Sequence, residues 1–459
     1  MRAVAAGHPA TADAGAEILE AGGSAADAAV AACLASCVAE TVMTGFLGGG
    51  HAIYFDAESG RAANLDCFIA MPGLGRARRE VALLELEVPF GAELVHYAVG
   101  IGSCGVPGVP AGLDALWSAH GRLPWAQLVE PALRLANGAV PMPAAHASCL
   151  AMLATVMTMN EGAEIYAPGG SLLEEGDLLR QPGLVRALEA VAEEGLRSAY
   201  EGTIGRSLLG LIEDRGGLVT DDDLRAYKAV WSEPVAVEFR GFDLRTRAGL
   251  SDFPTALGAL PELRGLGPAE RALALVTALA PDIPAQHGTT NLTVLDDDGN
   301  ACVLTTSLGL GSGDFLPGLD LHLNSMLGEA DLLTEPLEPG ERMASMMAPS
   351  LALDENGVAL AAGAAGGTRL RSALLQVVAG ILDEGLEPQA AVERPRLHPA
   401  GALVHVEPGF DTQTTGVLES AGFDVREWPG RHHYFGGVSA VTRNGAAGDP
   451  RRSGAARLV

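Results

Sequence analysis

Two β-prone runs around an acidic turn predict a hairpin in the second half of the chain. The runs cover residues 289–295 and 301–308, and the turn between them, at 296–300, contains an Asp-Gly pair. Such a pair between β-prone runs is a typical hairpin signal. Thr289 then lies where the chain enters the first strand, directly after the flexible Gly288.

Cleavage of the 288–289 bond would make Thr289 a chain terminus. An N-terminal threonine combines a nucleophile and a base, because its Oγ attacks while its own α-amine accepts the proton. This is the strategy of N-terminal-nucleophile hydrolases. Taken alone, however, Gly-Thr-Thr before a strand more often marks only the start of that strand, so the reading depends on the rest of the chain.

Composition narrows the class of protein. The 459 residues can bury one large core or two domains, and 48% of them are hydrophobic while only 5% are aromatic. This composition is typical of a folded protein with tightly packed small residues. The net charge of −27 argues against nucleic acid or an anionic membrane as a partner.

The cysteines and histidines predict no metal site. The six cysteines include no CxxC pair, and Cys33 and Cys37 fall in an alanine-rich run where small buried residues are expected. The histidines lack a ligand spacing such as HExxH. We therefore expect no metal and no organic cofactor.

The cellular location is predicted from the apolar segments. The N-terminus lacks an apolar core of signal-peptide length. The most apolar stretch, residues 25–43, is interrupted by Asp27 and Glu40. We therefore predict a soluble cytoplasmic protein.

Strand pairs alternate with helical segments along the chain. Thr11 is predicted to cap a helix over 12–21, and Ser24 to cap a second one reaching about Val38. A long helix is predicted over 257–280. Further predicted strands lie at 52–55, 63–66, 350–353 and 358–362. Strand pairs flanked by helices favour a layered α/β or α+β architecture.

A series of short segments carries a resemblance that runs almost end to end. In order they are residues 7–9, 14–19, 22–29, 48–50, 106–113, 121–125, 216–224, 298–301, 311–313, 323–324, 347–350 and 366–369. Together they resemble the gamma-glutamyltranspeptidase family. Each segment alone is a weak signal, but their ordered sum is specific.

The resemblance implies an αββα N-terminal-nucleophile fold in a single intertwined domain. In this family a precursor cuts itself directly before the catalytic threonine. By the resemblance, the cut in this chain falls between Gly288 and Thr289. The expected products are a large segment, 1–288, and a smaller one, 289–459, which stay interlocked. The freed Thr289 would then form an acyl-enzyme with a small-molecule amide or acyl substrate, released by water or an acceptor amine.

Three further positions match the family's chemical groups. Ser307 matches a threonine that hydrogen-bonds the nucleophile, and the hydroxyl is kept. Gly366 and Gly367 match glycines whose N–H groups form the oxyanion hole, where the absence of a side chain lets the backbone approach closely. Without the resemblance, a serine late in a strand is more often structural and a Gly-Gly before a helix more often a turn.

The departures concentrate where the family grips the glutamyl group. By alignment, the residues at these substrate-binding positions are Phe68, Leu308, Asn324, Ser325, Ser345 and Met346. Phe68 replaces an arginine that pairs with the substrate α-carboxylate. A buried amino-acid head would lose charge-assisted hydrogen bonds worth roughly 1.5–3 kcal/mol each. An altered acyl substrate is therefore predicted, unless an arginine such as Arg342 or Arg369 rebuilds the pocket.

Two classes of function remain. The first is a self-processing amidohydrolase or acyltransferase, which could retain γ-glutamyl activity or act on another acyl group, C–C hydrolysis included. The second is an uncleaved scaffold or binding protein. Asn291, in place of the usual histidine, and a shortened segment before Gly288 favour the second class. The intact Thr289 and Ser307 and the two glycines favour the first.

Overall fold

A computed structural model describes residues 1–77, 80–90, 93–280, 289–329, 332–333 and 335–459. Its helices are α1 Pro9–Glu20, α2 Ala25–Ala39, α3 Val109–His120, α4 Trp125–Gly138, α5 Ala144–Met152, α6 Ala154–Met157, α7 Gly162–Tyr166, α8 Pro182–Glu194, α9 Thr203–Arg215, α10 Asp221–Ala226, α11 Phe253–Ala259, α12 Pro268–Leu279, α13 Arg369–Leu382, α14 Pro388–Glu393 and α15 Thr412–Ser420. Its strands are β1 Ala3–Ala6, β2 Gly49–Asp56, β3 Arg61–Cys67, β4 Leu84–Phe90, β5 Glu93–Val99, β6 Val140–Pro141, β7 Leu178–Leu179, β8 Val230–Ser232, β9 Val235–Phe239, β10 Phe242–Thr246, β11 Thr290–Leu295, β12 Ala301–Ser307, β13 Ser350–Asp354, β14 Gly357–Ala365, β15 Leu397–Ala400, β16 Leu403–Val406, β17 Asp424–Glu427, β18 Gly437–Thr442, β19 Ala446–Gly448 and β20 Ala455–Leu458.

Two larger sheets share an apolar core. The first has seven strands in the order β20-β1-β11-β12-β2-β3-β8, and the second has six in the order β19-β18-β14-β13-β10-β9. Ile53 and Val303 of the first sheet pack in one cluster with Leu351 and Val441 of the second. Because these side chains come from alternating positions of their strands, one face of each sheet is buried against the other.

Helices cover further apolar residues of each sheet. Every one of the 15 residues of α2 is buried, and the small side chains of this helix let it pack closely in a cluster with Leu292 and Val294 of β11. Helix α13 packs in a separate cluster with residues of the second sheet, such as Ala362 and Val438. The predicted combination of helices and sheets is confirmed.

The predicted hairpin is confirmed, with Leu295 paired to Ala301 and Thr290 to Thr306. Asp296 organises its turn. One carboxylate oxygen accepts from the N–H groups of Asp298 (3.1 Å) and Asn300 (2.9 Å). The other accepts from the Asn300 amide and from the N–H of Ala25, both at 2.9 Å. The turn is therefore tied to the first residue of α2, which runs back toward Thr290.

Several element boundaries differ from the predictions. Helix α1 begins at Pro9 and is capped by His8, whose ring accepts from the N–H of Ala10, so the predicted cap at Thr11 is wrong. The cap at Ser24 is confirmed and forms a capping box with Asp27. The single helix predicted over 257–280 is two helices, α11 and α12.

The break between α11 and α12 follows from its sequence. Leu260 leaves the helical conformation before Pro261, as residues preceding proline commonly do. Gly265 has a positive φ of 85°, and Pro268 then opens α12 in its first turn. The antiparallel pair of β4 and β5 was not predicted from the sequence.

All six cysteines are buried and free, in agreement with the prediction for Cys33 and Cys37. Among the residues that the structure describes, none of the helices combines the length and apolarity that a bilayer crossing requires.

Asp296→Ala should lower the free energy of unfolding by about 2–4 kcal/mol, because it strips partners from several buried N–H donors. Urea unfolding at pH 7 measures the change. The neighbouring Asp297→Ala is the matched control, since the Asp297 side chain is 64% exposed and its ion pair with Arg2 lies at the surface. Its loss should change stability by less than about 1 kcal/mol. Equal effects of the two substitutions would contradict the role assigned to Asp296.

Candidate active site

Thr289 lies buried at the start of β11, where three strands bring polar groups to one end of the first sheet. The register that pairs Thr290 with Thr306 places Ser307 across from Thr289. Ser307 in turn pairs with Gly49 of β2. Ser307 is buried, and its hydroxyl accepts from the N–H of Gly309 at 2.9 Å. Thr289 and Ser307, two hydroxyl residues, therefore lie opposite each other at this end of the sheet.

The second sheet faces Thr289 across a cavity of about 10 Å³. Thr289 and Asn291 line it from the first sheet, and Ala365 and Gly437 line it from the second. A cavity of this size has room for roughly one water molecule. The nucleophile predicted from sequence thus lies in an enclosed space between the two sheets.

Gly366 and Gly367 follow directly after Ala365 and lead into α13. Their φ angles are +134° and +63°, in the range that favours glycine. A Cβ on Gly366 would lie 2.7 Å from the Cα of Gly436 and 3.5 Å from the Arg452 guanidinium. The two glycines, where an oxyanion hole is predicted, therefore directly follow Ala365, a residue that lines the cavity.

Glu40 approaches the same cavity from the C-terminal end of α2 and is 1% exposed. One of its oxygens accepts from the hydroxyl of Thr11 at 2.6 Å, and the other accepts from the hydroxyl of Thr290. Burial raises the pKa of Glu40 to about 7, although the two hydroxyls and Arg452 favour the charged form. Sequence analysis noted Glu40 only as an interruption of an apolar stretch, and that lone acid was its one local signal.

Arg452 comes from the C-terminal part of the chain. Its Nη1 donates to the carbonyl oxygen of Thr289 at 3.0 Å and lies 3.3 Å from the sulfur of Met43. Burial lowers the pKa of Arg452. Sequence analysis did not identify this residue, since nothing in its local pattern separates it from other arginines.

A buried ion network fixes the segment that carries Arg452. Arg451 donates to both oxygens of Glu407, one at 2.7 Å, and lies 3.2 Å from Asp449. Arg396 completes the network at 2.5 Å from Asp449. Paired charges in this arrangement compensate one another's desolvation.

The histidines near the cavity are neutral at physiological pH. Burial lowers the pKa of His8 to about 4, that of His146 to about 3 and that of His433 to about 2. His433 is buried in a short 3₁₀ helix. Arg452 and the titrating Glu40 are therefore the charged groups against Thr289 and Thr290.

Asn291, which stands in place of the family's histidine, is a bridge between the sheets. Its side-chain oxygen accepts from the hydroxyl of Thr305 at 2.8 Å, and its amide donates to Thr293 at 3.2 Å. Ser439 of the second sheet donates to its main-chain oxygen at 3.0 Å. A Cβ on Gly363 would lie only 2.1 Å from the Asn291 side chain, so the sheets approach closely here.

The predicted substrate-binding position Phe68 lies in an apolar cluster. It is 1% exposed and packs with Ile69, Met343 and Met347, while its ring stacks on His51 with centroids 5.4 Å apart. A second cavity, of about 560 Å³, shares Leu337 with the surroundings of this cluster and is lined mainly by apolar residues.

The other predicted substrate-binding residues are buried as well. Leu308 and Met346 are apolar and 3% and 1% exposed. Ser325 accepts from the N–H of Leu310 at 3.0 Å, and Ser345 accepts from that of Met347 at 3.2 Å. Substrate contact at these positions stays a prediction.

Asn324 is engaged with main chain on every side. Its amide donates to the carbonyls of Leu47 (2.9 Å) and Gly105 (3.0 Å), and its oxygen accepts from the N–H groups of Gly105 (3.0 Å) and Met326 (3.4 Å). It therefore clamps three loops together. Gly288, on the N-terminal side of the predicted cut, lies outside the described residues.

Comparison with known families agrees with this geometry. The model of the family described as gamma-glutamyltranspeptidase matches residues 11–272 and 262–459, almost the entire chain. The chain belongs to this family. It is accordingly an enzyme of the gamma-glutamyltransferase family, whose named relatives are hydrolases and acylases.

Two curated relatives illustrate the range of the family. The chain is 27% identical to an Acylase ACY 1 proenzyme of Pseudomonas sp. (strain V22), over 95% of this chain and 89% of that protein. It is 25% identical to the glutathione hydrolase proenzyme of Bacillus subtilis (strain 168), over 97% and 90%. The cephalosporin acylase of Bacillus halodurans shares the fold, with a TM-score of 0.82 at 23% identity over 99% of this chain and 95% of that one.

Glu40→Gln should gain stability relative to the wild type as the pH rises. The folded-state pKa of Glu40 is raised to about 7 from 4.5. The folded wild type therefore binds a proton that the unfolded chain releases, and wild-type stability falls between pH 4.5 and 7. The difference in unfolding free energy should change by on the order of 3 kcal/mol across that window and be flat on either side.

Urea unfolding of both proteins at pH 4, 5.5, 7 and 8 measures this difference. The exposed Glu193→Gln variant controls for the loss of a carboxyl group at the surface. A difference that does not vary with pH for Glu40→Gln would contradict the assignment of a buried, titrating carboxyl to this site.

Proposed function

We propose that this chain is a self-processing amidohydrolase or acyltransferase whose nucleophile is Thr289. The observation that carries the proposal is the buried Thr289 at a small cavity, with Ser307 across the strand pair and Gly366 and Gly367 directly after Ala365, which lines the same cavity. The word proenzyme in the names of both curated relatives supports processing of the chain.

In the self-processing step, Thr289 Oγ attacks the carbonyl carbon of Gly288. The C–N bond to Thr289 breaks, an ester forms, and the nitrogen takes up the proton to become the free α-amine. Water then hydrolyses the ester and releases segment 1–288 with a new carboxylate. The freed α-amine is the base that the Thr289 hydroxyl needs in later turnovers.

The two products would stay associated through strand pairing. β11 and β12 of segment 289–459 lie between β1 and β2 of segment 1–288, and β13 pairs with β10 in the second sheet. Separating the segments would break paired strands in both sheets. This interlocking, together with helices packed on both sheets, supports the proposed αββα single domain.

In turnover, the freed Thr289 would attack an acyl substrate and release the amine. Backbone N–H groups of Gly366 and Gly367 would stabilise the tetrahedral oxyanion, and Ser307 would orient the nucleophile. Water or an acceptor amine would release the acyl group. The heavy-atom bonds made and broken in this cycle all involve the acyl carbon, and the α-amine of Thr289 serves the proton transfers, so the scheme invokes no cofactor.

The substrate class follows from the surroundings of Phe68. The Ile69, Met343 and Met347 side chains around it carry no group that pairs with a carboxylate, and Leu308 and Met346 add apolar surface. The nearby Arg247 donates to the carbonyls of Ser345 and Met347. We infer that the acyl group lacks an amino-acid head and is apolar, in line with the acylase names among the relatives. The scaffold alternative is disfavoured because Thr289 and Ser307 are both present and aligned. The cytoplasmic location stays a prediction.

Thr289→Ala should abolish self-cleavage, whereas Thr289→Ser should retain it, because serine keeps the hydroxyl and the α-amine. Intact mass under denaturing conditions should give two fragments for the wild type, the smaller beginning at Thr289, and one chain for the alanine variant. A single uncut wild-type chain, or cleavage at another bond, would reject Thr289 as the self-processing nucleophile.

The mature protein should release p-nitroaniline from hexanoyl-p-nitroanilide at least tenfold faster than from γ-glutamyl-p-nitroanilide, compared as kcat/KM. The charged head would lose about 1.5–3 kcal/mol for each hydrogen bond it cannot replace in apolar surroundings, and 1.4 kcal/mol corresponds to tenfold. The Thr289→Ala chain is the blank for both substrates. A preference for the γ-glutamyl compound would instead support a rebuilt glutamyl pocket.

A further inference from the structure

Two buried charged groups from distant parts of the chain hold the same dipeptide. Glu40, at the end of α2, accepts the hydroxyl hydrogen of Thr290. Arg452, from the segment after β19, donates to the main-chain oxygen of Thr289 at 3.0 Å. Glu40 is 1% exposed and Arg452 is 8% exposed, so both charges are withdrawn from water. Burial of this kind is costly unless each group has partners.

Successive side chains of β11 point to opposite faces of the sheet, and this decides which side chains Glu40 can contact. Leu292 and Val294 pack in the cluster that contains α2, whereas Asn291 faces the second sheet, at Gly363. Thr290 belongs to the first set, and its hydroxyl reaches Glu40. Thr289 belongs by alternation to the second set, on the side of the strand that faces the second sheet. The hydrogen bond between Thr290 and Glu40 therefore leaves the Thr289 side chain on the other side of the sheet.

We propose that Glu40 and Arg452 are positioning residues for Thr289. Arg452 holds the carbonyl oxygen of Thr289, and Glu40 holds the side chain of the next residue, Thr290. We call this pair of contacts the clamp. The inference rests on the proposed function of Thr289 and adds to it the residues that set its orientation. Glu40 acts through Thr290, because its two oxygens are occupied by Thr11 and Thr290. Arg452 acts through the carbonyl of Thr289.

The backbone around the clamp leaves little freedom for another arrangement. A Cβ on Gly7 would lie 2.4 Å from the Glu40 carboxylate and 2.7 Å from the Thr290 hydroxyl, so glycine lets β1 close over this hydrogen bond. On the other side, the ion network of Arg451, Glu407 and Asp449 fixes the residue before Arg452. Reactions of this kind lose up to roughly 100-fold in rate for a 1 Å misplacement of the attacking group.

The test compares two buried threonines, Thr290 and Thr44, whose hydroxyl groups each form one hydrogen bond to another buried side-chain oxygen. Thr290→Val removes the hydroxyl that Glu40 holds. Thr44→Val is the matched control, because the Thr44 hydroxyl is paired at 2.7 Å with that of Thr306, on the strand next to Thr290, and both threonines are buried. Thr290→Ser restores the hydroxyl, and Glu40→Gln and Arg452→Met alter the clamp from its two other ends.

The readout is the half-time of self-cleavage, followed by intact mass after cell-free synthesis is stopped, with the melting temperature of each uncut or cut chain recorded alongside. Self-cleavage needs no substrate, so the unknown acyl group does not enter. We expect Thr290→Val, Glu40→Gln and Arg452→Met to slow cleavage by about tenfold or more, as a misplaced nucleophile requires. Thr290→Ser and Thr44→Val should stay within about threefold of the wild type.

The outcomes separate this inference from the function on which it rests. If the wild type cleaves and Thr290→Val is no slower than Thr44→Val, the clamp is rejected while Thr289 remains the nucleophile. If Thr290→Val does not fold, Glu40→Gln and Arg452→Met decide by the same criterion. A wild-type chain that never cleaves overturns both the function and the clamp. Slow cleavage by Thr290→Val at the melting temperature of Thr44→Val, rescued by serine, supports the clamp.

Discussion

The antiparallel register of β11 is the constraint on which the site depends. This strand lies between β1 and β12 inside the seven-stranded sheet, so both of its edges are paired. Its alternate residues are buried on opposite faces, Leu292 and Val294 with the helices and Asn291 and Thr293 toward the second sheet. A shift by one residue would exchange these sets, which burial on both faces forbids. The same register fixes which threonine meets Glu40 and which faces the second sheet.

A network of buried charges holds the segment that carries Arg452. Arg396, Asp449, Arg451 and Glu407 join β16, β19 and the loops around them into one paired network. A pair of this kind contributes little net stability over an apolar substitute, but removing one partner is costly. The network therefore specifies one position for the segment that ends in Arg452, more than it stabilises the fold.

Sequence reasoning succeeded where the determining interactions are local. The hairpin at 296–300 and the cap at Ser24 both depend on residues within a few positions of one another, and both are confirmed. Glu40 and Arg452 were missed because they reach Thr290 and Thr289 across 250 and 163 residues, and no periodicity encodes such contacts. The glycines beside the cavity were found only through the family resemblance, since a Gly-Gly before a helix is otherwise a common turn.

Apart from Asn291 and the shortened segment before Gly288, the departures from the family fall at the predicted substrate-binding positions. Thr289 and Ser307 lie opposite each other on paired strands, and even the unusual Asn291 bonds through its side chain to Thr305 and Thr293 of the same sheet. Around Phe68 the cluster is mainly apolar, and His51 stacks on the Phe68 ring. Acyl transfer requires the residues around Thr289 to act on the reacting carbonyl, whereas we propose that those around Phe68 meet the remainder of the acyl group. A chain that had lost catalysis would be free to change around Thr289 as readily as around Phe68. The groups kept at Thr289 and changed at Phe68 therefore argue for a different acyl group with the chemistry retained.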